Sequence, residues 1–192
     1  MHYNVGADLD ENNNSIQNAW LESVLTDAKN NSIPVVIAAH YWPAWVNIND
    51  NEVIKCSYTN TDSIASDYLP AIAISSVQDF IDNDGEFVCW VTGHAHCDVI
   101  AAPRNYPKQM FIAVDCGTYA NSVGNSARVK NTKSQDCFNI IAFDTYDKLV
   151  KVVRVGSDTT RQLKQKRVLT YRYAPFTDAA GVLHNIGLEL SE

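Results

Sequence analysis

The 192-residue chain carries 15 basic and 22 acidic residues, a net charge of -7, and an apolar fraction of 46% that is ordinary for a globular protein. This length predicts one domain over residues 1–192 with a sizeable core, and the acidic balance argues against a nonspecific nucleic-acid or anionic-membrane surface. No stretch approaches the roughly 18 apolar residues of a membrane span, and residues 1–14 lack the basic and apolar regions of a signal peptide.

Residues 1–14 are polar and Asn-rich and read as a loop. Asn14 with Gln17 has the spacing of a capping box, and Ile16, Trp20, Leu21, Val24, Leu25 and Ala28 recur at helical spacing, which predicts a helix of about four turns. Asn30-Asn31-Ser32 and Pro34 end it, and the apolar run 35–39 is a strand of the buried type. His40 is the first polar residue past that strand, and Tyr41-Trp42-Pro43 shapes a wall beside it. Residues 44–66 are polar and aperiodic, a loop long enough to be functional or mobile. A second helix follows, with Ala73, Val77, Phe80 and Ile81 on one face, Pro70 near its first turn, and Asn83-Asp84-Gly85 at its end.

The chain then reaches its most informative stretch. Five apolar residues, 87–91, predict a strand buried on both faces, and Gly93 ends it ahead of His94-Ala95-His96-Cys97-Asp98. Open α/β sheets place their ligands at the carboxyl ends of their strands. Two imidazoles one residue apart can turn toward one cavity, and neutral imidazole is a common metal ligand. If the two buried strands lie in one sheet, His40, His94 and His96 converge. The competing readings are a loop histidine pair without a ligand and a core His40 bonded to a carbonyl; Cys97 reads as a small filler of loop space before a soft-metal ligand.

Downstream, residues 99–108 read as a connection with two prolines, and 110–114 as a strand leading to Asp115. The runs 138–143 and 149–155 flank Asp144-Thr145-Tyr146-Asp147-Lys148 as a β-hairpin. Residues 168–173 read as an edge strand, and the last dozen residues show no pattern. Five cysteines, Cys56, Cys89, Cys97, Cys116 and Cys137, form no Cys-x-x-Cys pair and leave one over, which predicts reduced thiols and a cytoplasmic setting.

Three features in order form a set: Gln17-Asn18-Ala19-Trp20-Leu21 opening a helix, a strand ending in His40 with Pro43 after it, and a strand ending in Gly93-His94-Ala95-His96 with Asp98 after it. With the closing hairpin and its Arg154-Val155-Gly156, this set resembles the carboxyl-terminal half of the calcineurin-like metallophosphoesterase family over about residues 14–156, leaving 157–192 unassigned. The resemblance implies an α/β fold, part of a sandwich of two mixed sheets flanked by helices. It implies hydrolysis of a phosphomonoester or phosphodiester with two divalent transition-metal ions drawn from manganese, iron, zinc and nickel. It assigns His40 and His94 to one metal and His96 to the other.

The family's amino-terminal motifs, Asp-x-His, Gly-Asp-x-x-Asp and Gly-Asn-His-Glu/Asp, do not occur. The expectation is therefore a chain lacking the amino-terminal half, holding one metal ion or none and inactive by itself, whose partner is that half or a second copy meeting an uncovered sheet. Asp8, Asp10, Asp98 and Asp115 are the carboxylates available as substitutes. A second reading is a non-catalytic domain in which the histidines hold a single metal and the surface serves protein contacts.

Overall fold

Helices α1 (Glu11–Asn30) and α2 (Ala71–Asp82) end on the same device. In α1 the Ile33 amide donates to the Ala28 carbonyl at 2.8 Å and Ser32 to Lys29 at 3.1 Å; in α2 Gly85 donates to Phe80 at 2.8 Å and Asp84 to Ile81 at 3.1 Å. These are the paired bonds of a Schellman cap, with Ser32 (φ 53°) and Asp84 (φ 64°) at the left-handed position. Each helix is thereby stopped with four residues left before a strand. Val35 and Phe87 begin β1 (Val35–Ala38) and β4 (Phe87–Thr92) level with each other, joined by a 2.8 Å bond from the Val35 amide to the Glu86 carbonyl.

The computed structural model describes residues 11–40, 42–43, 68–69, 71–93, 99–101, 106–114, 129–132, 135–156, 168–184 and 186–189. Between the helices lie two short strands, β2 (Trp42–Pro43) and β3 (Tyr68–Leu69), which pair in parallel. Strands β5 (Val99–Ala101) and β6 (Phe111–Ala113) complete a four-stranded sheet of order β1-β4-β6-β5, in which β1, β4 and β6 are parallel and β5 antiparallel. A second four-stranded sheet, wholly antiparallel, has the order β12-β9-β8-β7 and contains β7 (Cys137–Asp144), β8 (Leu149–Gly156), β9 (Val168–Arg172) and β12 (Gly187–Glu189). A small hairpin, β10 (Phe176–Thr177) with β11 (Leu183–His184), precedes its last strand.

In β1 only Ile37 is buried, but over β4 and β6 both faces of the first sheet are covered. On one, Leu21, Leu25 and Ala28 of α1 and Ile74, Val77 and Phe80 of α2 pack on Ile37, Trp90 and Phe111. On the other, Val88, Cys89, Ile100 and Ile112 meet Val150, Val152, Leu169 and Tyr171 of the second sheet. A parallel strand buried on both sides has to be apolar at every position, which is why 87–91 has no alternation. The result is an α/β protein layered as helices, sheet, sheet.

Several expectations change. Helix α1 begins at Glu11, so Asn14 lies within the helix instead of capping it. Ile16, Trp20 and Val24 share the helical period of Leu21, Leu25 and Ala28 but are exposed at 66%, 54% and 38%. In α2, Ile81 is only partly buried while Ile74 is fully buried. Residues 99–101 form a strand where a connection was expected, because an antiparallel ladder to β6 ties them in. Strand β9 is not an edge: it lies between β8 and β12, and the stretch beyond residue 180 contributes two further strands. No helix among the described residues is long and apolar enough to cross a membrane.

A buried amide locks the helix layer to the sheet. Gln109 is wholly buried; its Nε2 donates to the Ile74 carbonyl at 3.0 Å and to Gln78 Oε1 at 3.2 Å, while its Oε1 accepts from Trp90 Nε1 at 3.2 Å. Gln109→Leu strands the indole donor in a dry core, which costs about 2 kcal/mol. A lower urea midpoint at unchanged m-value is expected, and a loss below about 0.5 kcal/mol would show the network to be dispensable.

Candidate metal centre

The caps that start β1 and β4 level also make them end level. One extra residue, Val88, is absorbed on β4 between the Val35↔Phe87 and Val36↔Cys89 pairs, after which Ala38 stands opposite Val91. The ladder continues past the strands: the Ala39 amide donates to the Val91 carbonyl at 2.9 Å, and the Gly93 amide to the His40 carbonyl at 3.1 Å. On the other flank of β4, the Val114 amide donates to the Thr92 carbonyl at 2.9 Å. Three adjacent parallel strands therefore finish at one edge, with His40, Gly93 and Val114 joined through single backbone hydrogen bonds or one residue from them. The chain runs on from Gly93 into His94 and from Val114 into Asp115.

His40 is exposed at this edge. Among the described residues, a Cβ at Gly93 would meet only the His40 carbonyl oxygen, at 3.9 Å. Thr92, 2% exposed, sits just below the edge, and its hydroxyl has no hydrogen-bond partner among the described residues. The Trp42-Pro43 segment, expected as a wall, pairs with Tyr68-Leu69, so the long stretch 44–67 leaves and returns beside His40. The pairing of β2 with β3 had no signal in the sequence, since two-residue strands carry no period.

His94, His96, Cys97, Asp98 and Asp115 lie outside the described residues, as do Asp8 and Asp10. Of the three predicted ligands, the structure places His40 and the residue immediately before His94, and it places them in contact through their backbones. Among the described residues no group of three or more histidine, cysteine or acidic side chains is close enough to hold a metal.

The described cysteines do not add to the site. Cys89 and Cys137 are free and buried. Burial between the sheets pushes the Cys89 thiol up from 9.0 to about 12, against a smaller opposing effect of the neighbouring Tyr171 hydroxyl. A thiol held neutral in this way is neither a nucleophile nor a metal ligand at neutral pH. Compared with models of known protein families the chain matches none, and comparison with curated proteins gives no match.

Proposed function

We propose that this chain carries part of a dimetal phosphoesterase centre, with His40 and His94 as ligands of one divalent metal ion and His96 as a ligand of the other. The observation that supports the reading is the 3.1 Å bond from the Gly93 amide to the His40 carbonyl, which puts the first histidine beside the root of the Gly-His-x-His loop. Two ligand sources predicted from separate parts of the sequence thus share one sheet edge, at the carboxyl ends of parallel strands where such sites form.

The donor set fits one metal ion better than two. Three imidazoles make an open site of the kind zinc accepts, but two divalent ions a few ångströms apart repel strongly unless a carboxylate bridges them. When bound, a metal pair supplies an activated water and a clamp on the phosphate oxygens, which is what in-line phosphoester hydrolysis requires. The chain's own part is to orient the imidazoles: the β1–β4 ladder fixes the backbone of His40 against Gly93. Positive charge held there offsets the net charge of -7 that would otherwise repel a phosphoester.

Metal analysis after dialysis against manganese, zinc or nickel should find fewer than two ions per chain, with most of the binding lost in His40→Ala and in His94→Ala. Hydrolysis of an aryl phosphomonoester or phosphodiester by the chain alone should not depend on His94. A missing leaving-group acid alone costs about 10² to 10⁴ in rate. Two tightly held ions, or turnover abolished by His94→Ala, would mean that Asp98 or Asp115 completes the centre within this chain. Metal binding indifferent to His40 would remove the reading altogether. A non-catalytic, protein-binding role is the second reading, favoured by the exposed apolar residues of α1.

A further inference from the structure

Helix α1 has one apolar face too many. Leu21, Leu25 and Ala28 bury against the first sheet, which accounts for the stripe that a surface helix needs. Ile16, Trp20 and Val24, at i, i+4 and i+8, form a second stripe that nothing in the described residues covers. The stripe faces away from α2. Glu22, Thr26 and Lys29 line the groove shared with α2, where Ser76 Oγ donates to Glu22 Oε1 at 3.3 Å, and at 100° per residue Trp20 and Val24 fall on the opposite flank.

That flank points toward the open end of the sheet. Gln109, just before β6, bonds α2, so α2 covers β4 and β6 and α1 covers the β1 side. No strand lies beyond β1 among the described residues. Exposed edges are normally guarded by charge, proline or a bulge. Here Pro34 precedes the strand and a register shift falls at Val35/Val36, but beyond them Val36-Ile37-Ala38 runs regular and uncharged, with Val36 38% exposed. Among the described residues, an uncovered strand edge and an uncovered helix flank thus lie on one side.

We propose that this side, the β1 edge with Ile16, Trp20 and Val24 of α1, is the interface of a homodimer related by a two-fold axis perpendicular to the first sheet. An isologous contact needs a self-complementary surface, and this one has it. The axis sets β1 antiparallel to its copy, which continues the sheet, and lays α1 antiparallel to its copy on the same face. Trp20, the middle of its stripe, then meets Trp20 of the second copy, and Val24 meets Ile16. The two Asp27 carboxylates fall at opposite ends of the contact, so like charges do not oppose. With Ile33 (49% exposed) and Val36, the five side chains offer roughly 500 Å² per copy, well over half of the about 800 Å² that a standard interface buries on each side. Ser23, Asp27, Ser32 and Ala38, all exposed, supply a rim. The inference uses the sheet order and burial alone and does not depend on the metal reading.

Sedimentation equilibrium or light scattering of the intact chain, from about 1 to 100 μM, tests it. The wild-type chain is expected to dimerise, and Trp20→Glu to weaken the dimer roughly 30-fold or more, as loss of a central aromatic anchor does. Trp20 is 54% exposed, so the fold should survive, which circular dichroism and an unchanged melting temperature would check. Val36→Lys, at the strand edge, should weaken the dimer independently. A wild-type chain that stays monomeric at about 100 μM overturns the proposal. So does a dimer insensitive to both variants but broken by Ile140→Lys, since Ile140 and Phe138, each 53% exposed, lie on the outer face of the second sheet.

Discussion

Gly156→Ala should destabilise the chain by about 4 kcal/mol, a large share of the 5–15 kcal/mol that holds a typical domain together. Gly156 ends β8 opposite Cys137, with φ +88°. A Cβ at that position would stand 1.9 Å from the Asp136 carbonyl oxygen, 2.8 Å from its carbon and 3.1 Å from Cys137 Cα. All three are backbone atoms of the paired strand, so no side chain can rotate away to admit the methyl. Left-handed backbone costs a residue with a Cβ about 1–2 kcal/mol, and forced overpacking adds about 1–3 kcal/mol. Gly181 is the internal control: its φ is +80°, but a Cβ there meets nothing within 4 Å. Gly181→Ala should therefore cost only the backbone part, about 1 kcal/mol. Urea unfolding of the two variants beside the wild type separates the contributions. Equal losses at both positions would mean that the ladder yields at Asp136 and that the close approach carries no structural weight.

The same comparison of covalent detail with period explains what could be read in advance. The strand at 87–92 was legible because burial on both faces forces an unbroken apolar run. The run at 35–38 looks the same in sequence, but there only Ile37 is buried and Val36 and Ala38 are exposed, so that strand was placed rightly and its burial was not. Their common edge was legible too, since the apolar runs stop at His40 and at Thr92-Gly93, and the ladder bond from Gly93 to His40 follows once the strands are neighbours. The hairpin of β7 and β8 was announced by Asp144-Thr145-Tyr146-Asp147-Lys148. Asp144 Oδ1 accepts from the Tyr146 and Asp147 amides at 3.0 Å each, and Lys148 takes φ 57°. What could not be read is set by partners distant in sequence. Residues 99–101 become a strand only because β6 offers an antiparallel edge, and β9 is internal only because residues 187–189 return to cover it. Period alone also cannot rank the two stripes of α1, since Trp20 and Leu21 serve equally well as members of a helical repeat. The buried one is decided by where α2 lies.

Stability should fall steeply above pH 9, and Cys89 should be a principal cause. Cys89 lies between the sheets beside Tyr171, both wholly buried. Burial raises the thiol from 9.0 to about 12; burial first, and then the neighbouring Cys89, raises the Tyr171 phenol well above 10. Tyr173 is raised as well, by burial and then by donating to Glu86 Oε1 at 2.6 Å, where Lys148 Nζ also donates to Oε2 at 2.6 Å. In each case the fold favours the neutral form. The unfolded chain loses these protons first, so the Cys89 contribution is complete below about pH 9 and disappears as pH rises through the window to about 12, and the raised phenols act in the same direction. A shift from 9.0 to about 12 corresponds to about 4 kcal/mol for Cys89, with a slope approaching 1.4 kcal/mol per pH unit inside the window. Cys89→Ala removes that titration at the expense of a small cavity, so the variant starts less stable at pH 7 but should lose stability more slowly between pH 9 and 11. Urea midpoints measured at half-unit steps of pH give both slopes. Parallel curves for the wild type and the variant would show that the thiol ionises as freely in the folded chain as in the unfolded one, and that the space between the two sheets is wet.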